Sequence, residues 1–261
     1  MPILSWILLF SLLGGLLSVA AASLFLLFPE NLRTRLLPHF VSFAIGALLG
    51  AAFLGLLPHA LGSPGVEDFH LITGSVLIGL LGFFLLEKMV LWRHCHAEHC
   101  EVHGADEHEQ ARKSATGVMI LVGDGIHNLV DGILIAAAFL TDIHLGVVTS
   151  MAVAAHEIPQ EVGDFAILLH SGYSRMKALV YNMLASLATL VGAVIAYYSL
   201  LDAQAALPYI LAIAASSFIY IAVADLIPGL HKRVQLSATV QQVSLITLGV
   251  LVIYFTHSTL H

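Results

Sequence analysis

Two apolar stretches of this chain carry histidines, carboxylates and amides at the spacing of a helix. In ILVGDGIHNLVDGILIAAAF, Asp124, His127, Asn128 and Asp131 recur three or four residues apart, and in MAVAAHEIPQEVGDFAILLHS the same holds for His156, Glu157, Gln160, Glu161 and Asp164. Each set therefore falls on one face of its helix. Imidazole and carboxylate together suit Zn²⁺ and other first-row divalent ions. Two carboxylates with neutral imidazoles also cancel a double positive charge that hydrocarbon cannot otherwise accommodate. The ligand types admit Fe²⁺, Mn²⁺, Co²⁺ and Cd²⁺ as well as Zn²⁺. A proline inside the second stretch, Pro159, removes one helical hydrogen bond and frees the carbonyl of Ala155, which a bundle tolerates where a cavity satisfies it.

The elements that position these faces must lie in lipid. The 261 residues are 59% hydrophobic and 10% charged, with mean hydropathy +0.93, whereas a soluble domain carries about 25% charged residues. Taking about 20 apolar residues per crossing, eight spans are expected, at roughly 3–28, 38–61, 70–92, 114–140, 144–171, 174–201, 205–230 and 239–257. The expected fold is all-α, one polytopic membrane domain over residues 1–261, with the metal site between helices 4 and 5. The N-terminal apolar run lacks a basic flank and reads as a retained helix. All ten Lys and Arg residues then fall on one side: Arg33, Arg35, Lys88, Arg93, Arg112, Lys113, Arg175, Lys177, Lys232 and Arg233. By the positive-inside rule that side is cytosolic and both termini face outward. No sequence repeat is apparent, and no nucleic-acid partner is implied.

Ionisable groups at membrane depth are costly and mark pathways or charge-holding sites. His59, Asp124, Glu161, Asp164, Asn182 and Asp225 are the further candidates for a pathway or secondary metal site. A loop of about 93–113 on the cytosolic side gathers His94, Cys95, His96, His99, Cys100, His103 and His108 among acids; its irregular spacing suits metal capture rather than a rigid zinc site or a disulfide framework. Two other functions use similar residues. An intramembrane metalloprotease needs HExxH, but HEIPQ lacks the second His and has a proline within it. A metal sensor without transport would need a signalling domain, which the sequence does not offer.

The segment from His127 to Gly132, followed by HEIPQEVGDFAILLHSG, resembles the ZIP (Zrt/Irt-like) divalent-metal transporters, in particular the branch with an HEIPHEVGDF-type fifth helix. LLPHA at Leu56–Ala60, the His-rich loop, and YIAVADLIPGLH at Tyr220–His231 extend the likeness over most of the chain. The resemblance implies metal uptake into the cytosol by elevator-like movement, with no resident cofactor and no enzyme activity. By motif position it implies His127, Asn128, Asp131, His156, Glu157 and Gln160 as ligands, and by family habit a homodimer. The expected setting is a multi-pass protein of the cell (inner) membrane, with divalent metal ions and the lipid bilayer as partners. Gln160 stands where members usually have His or Glu, Ala51 and Gly55 where many relatives have Asp and His, and Asn182 where some two-metal members have Glu. One well-formed metal site is therefore expected.

Overall fold

The computed structural model describes residues 2–96 and 105–260, with side chains for 2–89 and 117–259. Among the described residues there is no strand. The described residues form eight helical columns: α1 (Ile3–Phe25), α2 (Glu30–Leu61), α3 (Phe69–His96), α4 (Ala105–Thr141), α5 (Ile143–His170), α6 (Arg175–Leu201), α7 (Gln204–Leu230) and α8 (Leu236–Leu260). Seven of these are long and apolar enough to cross a membrane. The column outside that set is α5, whose polar face interrupts its hydrophobicity; it packs at the centre of the bundle against α1, α2, α4, α6 and α8.

Several boundaries depart from the expected ones, most of all at α4, which begins at Ala105 and not near 114. α2 begins at Glu30, well before residue 38, because Pro29 serves as its N-cap and the polar turn containing Asn31, Arg33 and Arg35 is helical despite lying outside the apolar run. α1 is interrupted at Gly15, where the backbone takes φ −84° and ψ −86°. The tight turn from α4 into α5 is fixed by Asp142, whose carboxylate accepts from the backbone N–H of His144 at 2.8 Å and of Leu145 at 3.0 Å. That cap satisfies two of the four N–H groups a helix start leaves open.

The columns sort into two groups. α1, α4, α5 and α6 pack on one another; α2 packs on α8 and α7, and α3 on α7. Within each group, glycines let backbones touch. A methyl on Gly132 would overlap the Thr189 carbonyl and one on Gly192 the Leu129 carbonyl, locking α4 to α6. Gly46 and Gly249 do the same for α2 and α8. The groups meet chiefly where α5 lies against α2 and α8, and α4 against α7. Contact there is softer: a methyl on Gly55 of α2 would come within 3.2 Å of the flexible Leu145 Cδ1 of α5.

α2 and α7 share one further device. Each contains a π-helical segment, Ala51–Leu56 and Ile221–Leu226, with a proline two residues beyond, Pro58 and Pro228. Leu57 N–H reaches back five residues to the Ala52 carbonyl, and Ile227 N–H to that of Ala222. The widened turn accommodates a proline that can neither donate a hydrogen bond nor tolerate a close carbonyl.

Candidate metal centre

α4 and α5 bring His127, Asp131, His156 and Glu157 together so that one ligand atom of each lies within 4.8 Å of the others. His127 Nε2 is 3.1 Å from His156 Nε2, 3.6 Å from Asp131 Oδ2 and 3.3 Å from Glu157 Oε1. His156 Nε2 is 3.3 Å from Asp131 Oδ2 and 3.7 Å from Glu157 Oε1. A tetrahedral zinc with bonds of about 2.0–2.1 Å separates its ligand atoms by about 3.3–3.4 Å. The five separations therefore scatter around the edges of such a tetrahedron.

Burial and hydrogen bonding sharpen the case. Asp131, His156 and Glu157 are about 1% exposed, yet neither oxygen of either carboxylate accepts a hydrogen bond. Orphaned carboxylates inside a membrane bundle are costly unless a cation compensates them. His156 Nδ1 donates to the Ala152 carbonyl at 3.0 Å, which in the neutral ring leaves the Nε2 lone pair aimed into the cluster. Phe218 of α7 closes against the ring of His156, centroids 6.2 Å apart.

A cavity of about 430 Å³ adjoins this cluster. It runs from His127 and His156 past Gln160, Asp124, Asp164 and Asp225 to Leu37 and Val41 of α2 and Met119 and Ile120 of α4. The π-helical turn of α7 supplies Ile221, Asp225 and Leu226 to its wall. A smaller cavity of about 210 Å³ reaches His127 from between α3, α4 and α7, while Ala51, Leu134, Ile135, Leu145, Val148 and Ala152 belong to one buried core. Ala51 and Gly55, flagged in the sequence for lacking donor groups, face that core.

The remaining sequence candidates divide. Asn128 is fully buried; its amide nitrogen donates to Asp124 Oδ1 at 2.8 Å and its carbonyl accepts from Thr189 Oγ1 at 2.7 Å. Glu161 accepts from Asn182 Nδ2 at 2.8 Å across the α5–α6 contact. His59 lies near the far end of α2, edge-on to His257 of α8 with centroids 5.4 Å apart. The expected loop of about 93–113 is shorter than the sequence suggested, because α3 extends through His94, Cys95 and His96 and α4 already includes His108; His99, Cys100 and His103 lie outside the described residues, and all seven outside the described side chains. Sequence reasoning missed Thr189 and Phe218. A lone threonine in an apolar helix carries no signal until its partner across the crossing is known.

With this geometry in view, the likeness to known proteins can be read. The family model described as ZIP Zinc transporter matches residues 92–257. The chain belongs to that family. It is 33% identical to Zinc transporter ZIP13 of Pongo abelii over 264 residues, 93% of this chain and 76% of the relative. It is 32% identical to Zinc transporter zipt-7.2 of Caenorhabditis elegans, covering 92% of this chain and 63% of that protein. Zinc transporter ZIP10 of Homo sapiens is 36% identical over 139 residues, 52% of this chain and 17% of the relative. The ZIP family is one of transporters and not of enzymes, so the metalloprotease reading falls away. The chain is thus a helical, multi-pass membrane protein of that family.

Proposed function

We propose that the protein carries Zn²⁺ across the membrane into the cytosol by alternating access. The ion would be held by His127, Asp131, His156 and Glu157, with Gln160 on the cavity wall as a further ligand; Asn128, expected as a ligand, would instead brace α4 through Asp124 and Thr189. The observation that carries this reading is a charge-balanced, tetrahedrally spaced cluster with an acid-lined cavity on one side and a packed core on the other. Such an arrangement suits one of two end states, open toward the basic side. Asp124, Asp164 and Asp225 would step the ion inward, and the loop of about 93–113 would capture it on release.

In this reading α5 is the eighth crossing, both termini face outward, and residues 1–261 act as one membrane domain. The group α1, α4, α5 and α6 would carry the metal past the other group, as in an elevator. Glycine contacts within the groups and softer ones between them support that division. The protein would work as a homodimer in the cell membrane and admit Fe²⁺, Mn²⁺, Co²⁺ and Cd²⁺ to differing degrees.

Purified protein in liposomes loaded with a zinc-sensitive dye tests the central claim. Signal above empty liposomes, abolished by His156→Ala, is expected; equal signal in both across pH and membrane potential would overturn it.

A further inference from the structure

A separate cavity, of about 490 Å³, lies between the start of α2 and the connection from α7 to α8. Arg35, His39, Lys232 and Arg233 line it together with Gln235 and Gln241, and no Asp or Glu does. Among the described residues, Arg35, Lys232 and Arg233 make no ion pair. Arg233 Nη2 donates to the Thr34 carbonyl at 2.9 Å, which ties the α7–α8 connection to α2 and leaves most of the guanidinium for a ligand. His39 Nδ1 donates to the Arg35 carbonyl at 2.7 Å, which turns that ring's other nitrogen outward from the bond. Ser237 and Ala238, in the first turn of α8, also line the cavity.

The two cavities flank the same turns of α2. Leu37 and Val41 line the metal cavity, Arg35 and His39 the basic one. Two residues apart on a helix is about 200°, so these pairs look in nearly opposite directions. The cavities are sorted by charge: Asp124, Asp164 and Asp225 in one, Arg35, Lys232 and Arg233 in the other. Three exposed cations around one cavity without counter-charges repel one another, and a volume in the range that holds small ligands gives an anion room to relieve them. Planar guanidinium groups with lysine and amide donors match the oxygens of a phosphate group.

We propose that this cavity binds a phosphate-bearing anion, either an anionic phospholipid headgroup or free inorganic phosphate. The site belongs wholly to α2, α8 and the connection before it. It is separate from the metal centre and does not depend on the metal reading. Basic pockets between transmembrane helices on the positively charged side commonly receive anionic headgroups. Bound there, the anion would fasten α2 to α8 at that end and lower the positive potential beside the mouth of the metal cavity.

The test uses full-length protein in phosphatidylcholine nanodiscs with and without phosphatidylglycerol, and separately with inorganic phosphate added to phosphatidylcholine discs. Native mass spectrometry counts retained lipid, and thermal unfolding reports phosphate. For the wild type, an adduct or upward shift is expected with phosphatidylglycerol, with phosphate, or with both. The double variant Arg35→Gln/Lys232→Gln, which spares the Arg233–Thr34 bond, should weaken that response about tenfold. Lys232→Arg should keep it, and Lys177→Gln, which removes a basic charge elsewhere, should not alter it. A response to the lipid alone assigns the source as a headgroup, and a response to phosphate alone assigns a soluble anion. If the double variant unfolds, Lys232→Gln alone serves, with a smaller loss expected. Equal responses in wild type and a folded variant, or a loss as large in Lys177→Gln, would overturn the proposal.

Discussion

His127 Nε2 and His156 Nε2 lie 3.1 Å apart with their ring planes 88° to one another. Since His156 Nδ1 donates to Ala152, its Nε2 in the neutral ring can only accept. The pair must then share a proton or a cation. Asp131 and Glu157 beside them make a divalent ion the better fit. His156→Ala should reduce zinc bound per protein and weaken affinity by at least about 100-fold, beyond the loss typical of an outer-shell contact. Titration with a competing zinc chelator measures it, and an affinity unchanged in folded protein would exclude His156 as a ligand.

Thr189 holds the ligand-bearing helix from outside the ligand set. Replacing it by valine removes the donor to Asn128 Oδ1 and leaves that buried oxygen unsatisfied. A cost of about 1–3 kcal/mol is expected, read as a lowered unfolding midpoint in detergent. Thr189→Ser should recover most of it, because the hydroxyl returns. If serine is destabilised and valine is not, methyl packing rather than the hydrogen bond matters there.

The glycine contacts predict a sharp contrast between two alanine substitutions. Gly132→Ala would drive a methyl into the Thr189 carbonyl, whereas Gly82 has nothing within 4 Å. The first should lose about 1–3 kcal/mol or more; the second should stay within about 1 kcal/mol, since alanine is the better helix former. Thermal unfolding of both in the same detergent makes the comparison. Similar midpoints would mean that α4 and α6 are not in backbone contact.

Single cysteines report which side of the metal centre is open. In a Cys95→Ser/Cys100→Ser background, cysteine at Met119 or Ile120 should react quickly with a water-soluble thiol reagent, because both line the cavity. Cysteine at Leu145 or Val148, fully buried, should react slowly. A metal-dependent exchange of these rates would follow if the ion binds the two end states unequally. Rates that stay the same with and without metal, while transport persists, would favour a fixed pore.

Hydropathy made the helical columns readable, and helical spacing singled out the polar faces of α4 and α5. Both signals are local and periodic. What escaped was set by docking between helices. Nothing in the spacing of Asn128 says that its amide turns toward Thr189 of α6 while His127, one residue earlier, turns toward α5. The π-helical turns escaped for another reason: they change which carbonyl each N–H reaches without changing composition. The early start of α2 was hidden because a polar first turn is invisible to an apolar window.

The buried core that the two helix groups share is rich in alanine. Ala136, Ala137, Ala138 and Ala152 on one side, and Ala47, Ala51, Ala52, Ala212, Ala214 and Ala215 on the other, share one buried core. Alanine has no rotamers to re-sort and loses no side-chain entropy when covered. Where these methyls meet across the groups, a displacement of one past the other would trade methyl contacts for similar methyl contacts, with shallow ripples in energy. Enlarging any one of these methyls, for instance Ala152→Leu, would plant a bump there and slow the exchange of states more than it changed the affinity of either.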